Sequence, residues 1–175
     1  MSNVDMRTSS SYDAYETPQW LVEEVRKFFG GKIDLDPCTS CRNPTGATYY
    51  ETAETDGLSS VWAFNENAYV NSPYGRQLKL WSDKCFYESQ RSDIEILQLV
   101  PARFGSGWFK TMAGRVNSLG VFNKRLTFEV SGKPVTDKNG RPQTAQFDTC
   151  LVYYGDRKMD FRRHFAPYLT FWKLG

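Results

Sequence analysis

Apolar residues recur along this chain with two different periods. Residues 18–29 put Leu21, Val22, Val25, Phe28 and Phe29 on one stripe at helical spacing. Thr17 is the expected N-cap of that helix, Pro18 falls in its first turn and Gly30-Gly31 stops it. Residues 76–89 repeat the helical period with Leu78, Leu80, Trp81, Cys85 and Phe86. Shorter apolar runs read as strands: 33–36, 69–71, 94–100 with Ile94, Ile96, Leu97, Leu99 and Val100, one or two within 118–130, and 145–154. A loop and short helix are expected over 104–115. Strands alternating with helices predict an α/β chain, its sheet mostly parallel and covered by helices on both faces. Ligands of such sheets sit outside the carboxyl ends of the strands, where Asp36 and Asn71 both fall.

The chain has 175 residues, of which 40% are hydrophobic and 15% aromatic, enough to bury one core. Residues 1–11 are polar and Ser-rich and read as a flexible arm, and 12–175 as a single domain. No apolar run has the length of a membrane span or the character of a signal peptide, so the cytoplasm is the expected location. The four cysteines include one C-x-x-C pair, Cys38 and Cys41, and His164 is the lone histidine. A structural zinc site takes four ligands, so reduced thiols and no metal are expected. The formal net charge is only +2, yet residues 1–100 carry −6 and residues 101–175 carry +8. Such asymmetry points to a polyanionic partner, because phosphate contacts need a local positive field rather than a basic total.

The most informative chemistry lies in Asn71-Ser72-Pro73-Tyr74-Gly75, at the end of a predicted strand. All but the tyrosine are turn formers, and an ordinary turn is one reading. The other is a grip on a planar amino group. Asn71 supplies a side-chain oxygen, Ser72 a carbonyl that Pro73 holds at a fixed angle, and Tyr74 a ring face for stacking. Two acceptors on one amine pull its nitrogen toward tetrahedral geometry and aim its lone pair at an electrophile.

Several pieces occur in a fixed order: Tyr15-Glu16-Thr17-Pro18, Leu35-Asp36-Pro37-Cys38, Asp56-Gly57-Leu58 with Trp62, residues 70–75, Pro101-Ala102-Arg103 with Trp108-Phe109, and Arg125-Leu126-Thr127-Phe128. With this series the chain resembles the phage-type DNA N6-adenine methyltransferases, relatives of the Dam enzymes. The resemblance implies a Rossmann-like, S-adenosylmethionine-dependent methyltransferase fold, acting in the cytoplasm of a host cell if phage-encoded. It implies that Asn71, Ser72, Pro73 and Tyr74 carry catalysis by direct displacement on a flipped DNA adenine. Thr17, Pro18, Asp36, Pro37, Cys38 and Asp56, with Asn71, would border the cofactor. Thr17 and Pro18 read equally well as a helix start, and Asp36 and Asp56 as turn or cap residues. Two departures stand out: no glycine occurs between Asp34 and Arg42, and Ser72 replaces the proline most often found there.

Candidates for gripping DNA are Arg76, Arg103, Lys124 and Arg125 after strands, with Lys138 and Arg141 around an Asn139-Gly140 turn. That turn reads alternatively as a solvated hairpin. The tail from Arg157 to Phe171 mixes cations with aromatics, either for nucleic acid or to close the core. Only 34 residues separate Asp36 from Asn71, which leaves no room there for a large recognition insert. The same amine-gripping device would serve RNA adenine, cytosine N4 or a glutamine amide. A non-catalytic DNA-binding relative and a transferase of a group other than methyl are the remaining alternatives.

Overall fold

The computed structural model describes residues 15–171; the expected arm over 1–11 lies outside them. The first stripe forms α1 (Gln19–Phe28), with Leu21, Val22, Val25 and Phe28 all buried. Its end is a Schellman motif: Gly31 N–H donates to the Arg26 carbonyl at 2.7 Å and Gly30 N–H to that of Lys27 at 3.2 Å. Gly30 takes φ +82° there, a value that favours glycine. The start differs from expectation. Pro18 occupies the N-cap position, no side chain caps the helix, and the Thr17 hydroxyl is turned to other partners.

The chain continues through β1 (Leu35–Asp36), β2 (Tyr49–Tyr50), β3 (Asn67–Val70), α2 (Leu78–Arg91), β4 (Glu95–Pro101), α3 (Gly107–Ala113), β5 (Ser118–Phe122), β6 (Glu129–Val130), β7 (Lys133–Pro134), β8 (Thr149–Tyr154), α4 (Lys158–Phe165) and β9 (Leu169–Phe171). Seven strands form one sheet in the order β2-β1-β3-β4-β8-β5-β9. β1, β2, β3 and β4 pair in parallel, whereas β8 runs antiparallel between β4 and β5, and β9 antiparallel beside β5. Five strands therefore share one direction and two oppose it. The sheet is mixed, mostly parallel in orientation, and its antiparallel half was not predictable from local pattern.

β4 shows how the layers are built. Leu97 and Leu99 face a core with α1 and α4, while Ile96 and Val100 face one with α2 and α3. Period-two alternation thus covers the sheet with helices on both sides. The aromatic tail settles into the first of these cores. Phe161 and Phe165 are fully buried against Phe28, and Arg157 is held by Glu95 and lies over the Phe28 ring.

From Asp36 to Asn67 the chain contains no helix, only loops and the short edge strand β2. Pro37, Pro44, Gly46 and Gly57 interrupt this stretch, and no apolar stripe runs through it. The polar excursion between β5 and β8 carries two turns. Ser131-Gly132, with φ +54° and +72°, joins β6 to β7. The expected Asn139-Gly140 turn closes a Thr136–Pro142 bridge, with Asp137 Oδ1 accepting from the Asn139 and Arg141 N–H groups.

Candidate active site

β1, β3, β4 and β5 run in one direction, so the segments after them gather along one edge of the sheet. A cleft of about 730 Å³ opens there, within the range of roughly 300–1,000 Å³ usual for small-molecule sites. Its walls combine the residues just before α1, the loop after β1, the 52–58 loop, the segment after β3 and the β6–β7 turn. Thr17, Asp36, Pro37, Cys38, Asp56, Asn71 and Pro73 all line it. Pro18 does not. It is buried at the head of α1, where its carbonyl accepts from Leu21 and Val22 N–H, so its role is to start the helix.

The loop after β1 is shaped by Asp36, which is 4% exposed. Its Oδ1 accepts from Cys38 N–H at 3.2 Å and its Oδ2 from the Thr45 hydroxyl at 2.8 Å. Burial raises this carboxyl from its ordinary value to about 6, and the hydrogen bonds offset only part of that. Asp36 is thus a turn-forming residue and a cleft wall at once. Burial, then the neighbouring Asp36 carboxylate, pushes the Cys38 thiol well above its ordinary range. Held as a thiol, Cys38 is a poor nucleophile.

Gly57 explains how the Asp56 loop closes on this wall without a Gly-rich turn after β1. A Cβ at Gly57 would run into the Pro37 carbonyl, so only glycine permits the approach. Gly57 also accepts from the Trp62 indole N–H at 3.0 Å. Asp56 itself sits at φ +52°, with Oδ1 accepting from Leu58 N–H and Oδ2 from the Ser59 hydroxyl. Four charged side chains line the cleft: Glu16, Asp36, Asp56 and Arg42. Glu16 and Arg42 are paired at 3.0 Å, which leaves the two aspartates to favour a ligand with positive charge. Trp81, from α2, adds a buried indole N–H that has no partner among the described residues.

Asn71 stands where this cleft meets a second, much smaller recess of about 10 Å³, lined by Tyr15, Asn71, Ser72, Tyr74 and Phe128. Its Nδ2 donates to the Thr17 hydroxyl at 3.2 Å, and Thr17 is hydrogen-bonded to Tyr69 Oη at 2.9 Å. This chain anchors the amide nitrogen and orients Oδ1, which accepts no hydrogen bond among the described residues. Tyr74 packs against Phe128 and Phe147 with ring centroids 6.2 and 5.5 Å away, and Phe128 in turn against Tyr15 at 6.0 Å.

The predicted cations share the same edge. Arg76 follows β3, Arg103 follows β4 and Lys124 follows β5, all exposed. Arg125 is also exposed but donates to Asp148 at 3.1 Å. Lys138 and Arg141 are exposed on the outer turn of the excursion rooted at that edge. His164 lies elsewhere, against Glu24 at 3.2 Å between α4 and α1. Among the described residues no group of three or more His, Cys, Asp or Glu side chains converges to hold a metal. No described helix is long and apolar enough to cross a membrane.

Four contributors escaped the sequence reading. Tyr69 offered a signal, because a tyrosine in an otherwise apolar buried strand needs a partner for its hydroxyl. Thr45 and Arg42 lie in a polar loop with no such signal, and Trp81 was counted only as part of an apolar helix face. A family model described as DNA N-6-adenine-methyltransferase (Dam) matches residues 5–159. No curated protein matches the chain.

Proposed function

The chain belongs to the DNA N-6-adenine-methyltransferase (Dam) family, and from that premise we propose that it transfers a methyl group from S-adenosylmethionine to N6 of adenine in DNA. Residues 12–175 act as one methyltransferase domain of Rossmann-like type, in the cytoplasm. The observation that carries this reading is Asn71: its amide nitrogen is tied to Thr17, and its oxygen is left to accept at the junction of cleft and recess.

The cleft suits the cofactor in size and in charge, since S-adenosylmethionine carries a sulfonium and an ammonium and the wall supplies Asp36 and Asp56. Thr17, Pro37, Cys38 and the Trp81 indole N–H complete the residues that would hold it. When bound, the cofactor supplies a methyl group activated by the sulfonium. Asn71 Oδ1 and the Ser72 carbonyl accept the two amine hydrogens, draw the nitrogen out of conjugation and stabilise the positive charge that develops on it. The methylated nitrogen then sheds one proton to water, so no histidine is required, and His164 is correspondingly remote. No covalent attachment to the chain is needed, in keeping with a Cys38 held as a thiol.

The recess by Tyr74 has room for about one water, so a flipped purine enters as Tyr15, Tyr74 and Phe128 separate. Arg76, Arg103 and Lys124, with Lys138 and Arg141, meet phosphates beside it. Arg125 contributes on release from Asp148. The test is incubation with methyl-labelled S-adenosylmethionine and mixed DNA, RNA and protein, followed by identification of the labelled product. N6-methyladenine from DNA is expected, and Asn71→Ala should abolish labelling while calorimetric cofactor affinity stays within a few-fold. Label in cytosine, RNA or protein would reassign the substrate. Absence of cofactor uptake would leave a DNA-binding protein without transferase activity.

A further inference from the structure

Ser72 is 2% exposed, and its side-chain hydroxyl is buried with no hydrogen-bond partner among the described residues. An unpartnered buried hydroxyl is destabilising and uncommon, so its presence on the wall of the Asn71 recess asks for a ligand. We infer that the Ser72 hydroxyl donates a hydrogen bond to the unprotonated ring nitrogen that flanks the amine of the target base. This deepens the proposed adenine transfer and rests on it.

The amine's two hydrogens are taken by Asn71 Oδ1 and by the Ser72 carbonyl. The next polar atom along that edge of adenine is the ring nitrogen N1, an acceptor whose lone pair lies in the ring plane. Cβ and the carbonyl carbon share the Cα of Ser72, so one residue offers an acceptor and, beside it, a hydroxyl donor. That pairing matches an amine next to a bare ring nitrogen. Proline at this position has the carbonyl but nothing to donate. The serine therefore adds a hydrogen bond to the base ring in a motif that otherwise hydrogen-bonds only the amine. Cytosine presents the same edge through N3, so this contact selects the class of base, and other residues must choose within it.

The experiment compares wild type, Ser72→Ala and Ser72→Thr on two chemically synthesised random-sequence duplex pools, one with adenine and one with 1-deazaadenine throughout. The second pool keeps the amine and replaces N1 with C–H. Ser72→Ala should lower kcat/KM about 10-fold on the adenine pool and leave it unchanged on the 1-deazaadenine pool. Ser72→Thr, which retains the hydroxyl, should keep the wild-type ratio between pools. An equal loss for Ser72→Ala on both pools would mean that the hydroxyl acts structurally, and would overturn the inference. So would no loss on adenine, or a threonine enzyme that no longer distinguishes the pools. A wild-type protein that labels neither pool would instead remove the transferase reading on which the contact depends.

Discussion

Asp36→Asn is expected to make the protein more stable and worse at holding a cationic cofactor. Burial lifts the Asp36 carboxyl from 3.8 to about 6 in the folded state. Two pH units at ~1.4 kcal/mol each put the cost of keeping this group ionised at neutral pH near 3 kcal/mol. The folded state holds the proton more tightly than the unfolded one. The group's contribution is therefore best below about pH 4, is lost between about pH 4 and 6, and is constant above. An amide has no charge to desolvate. Its oxygen still accepts from Cys38 N–H, and the Thr45 hydroxyl can accept from the new NH2 while donating to Asn43 Oδ1, 3.3 Å away. Urea unfolding of both proteins at several pH values should show a stability gap near zero at pH 4 that widens to as much as ~3 kcal/mol above pH 6. Calorimetry should show weaker S-adenosylmethionine binding by the variant at pH 7.5, and weakening wild-type binding as pH falls through about 6. A variant less stable than wild type at pH 7.5, or a gap that does not change with pH, would refute this account of Asp36.

Four further substitutions probe other parts of the site. Thr17→Val keeps the shape but removes the anchor of Asn71 and the partner of Tyr69; single-turnover methylation should slow about 10-fold and stability should fall by about 1–3 kcal/mol. Gly57→Ala forces a methyl group onto the Pro37 carbonyl, and thermal melting should report a loss of about 1–3 kcal/mol together with weaker cofactor binding. Arg76→Ala and Arg103→Ala should each reduce the slope of log K against log salt for DNA binding by about 1, measured by fluorescence anisotropy.

What the sequence disclosed follows from how local each signal is. α1, α2 and β4 were legible because one-sided stripes and period-two alternation leave marks within about a dozen residues. The grouping of Asp36 and Asn71 on one cleft was legible through the rule that ligands meet strands at their carboxyl ends, whereas Asp56 was expected beside them only through the family resemblance. Thr17 does not serve as the expected N-cap because its hydroxyl partner Tyr69 lies 52 residues away, and a hydroxyl preceding a helix looks the same in sequence whether it caps or reaches across. The narrowness of the Tyr74 recess depends on Tyr15, Phe128 and Phe147, brought together only by tertiary packing. Strand order left no local trace, and the antiparallel seat of β8 was therefore not foreseen.

That seat dictates a sequence of events during synthesis. β4 and β5 are both made before β8, yet neither pairs with the other; each waits for residues 149–154 to fill the place between them. Until the ribosome has released those residues, the nascent chain carries a mostly apolar seven-residue strand with one whole side of its backbone unmatched. A premature stop before Thr149 would remove β8 and β9 and leave unpaired borders on β4 and β5 rather than a shorter enzyme, so fragments of that length belong in inclusion bodies, and the residues from Thr149 onward govern solubility.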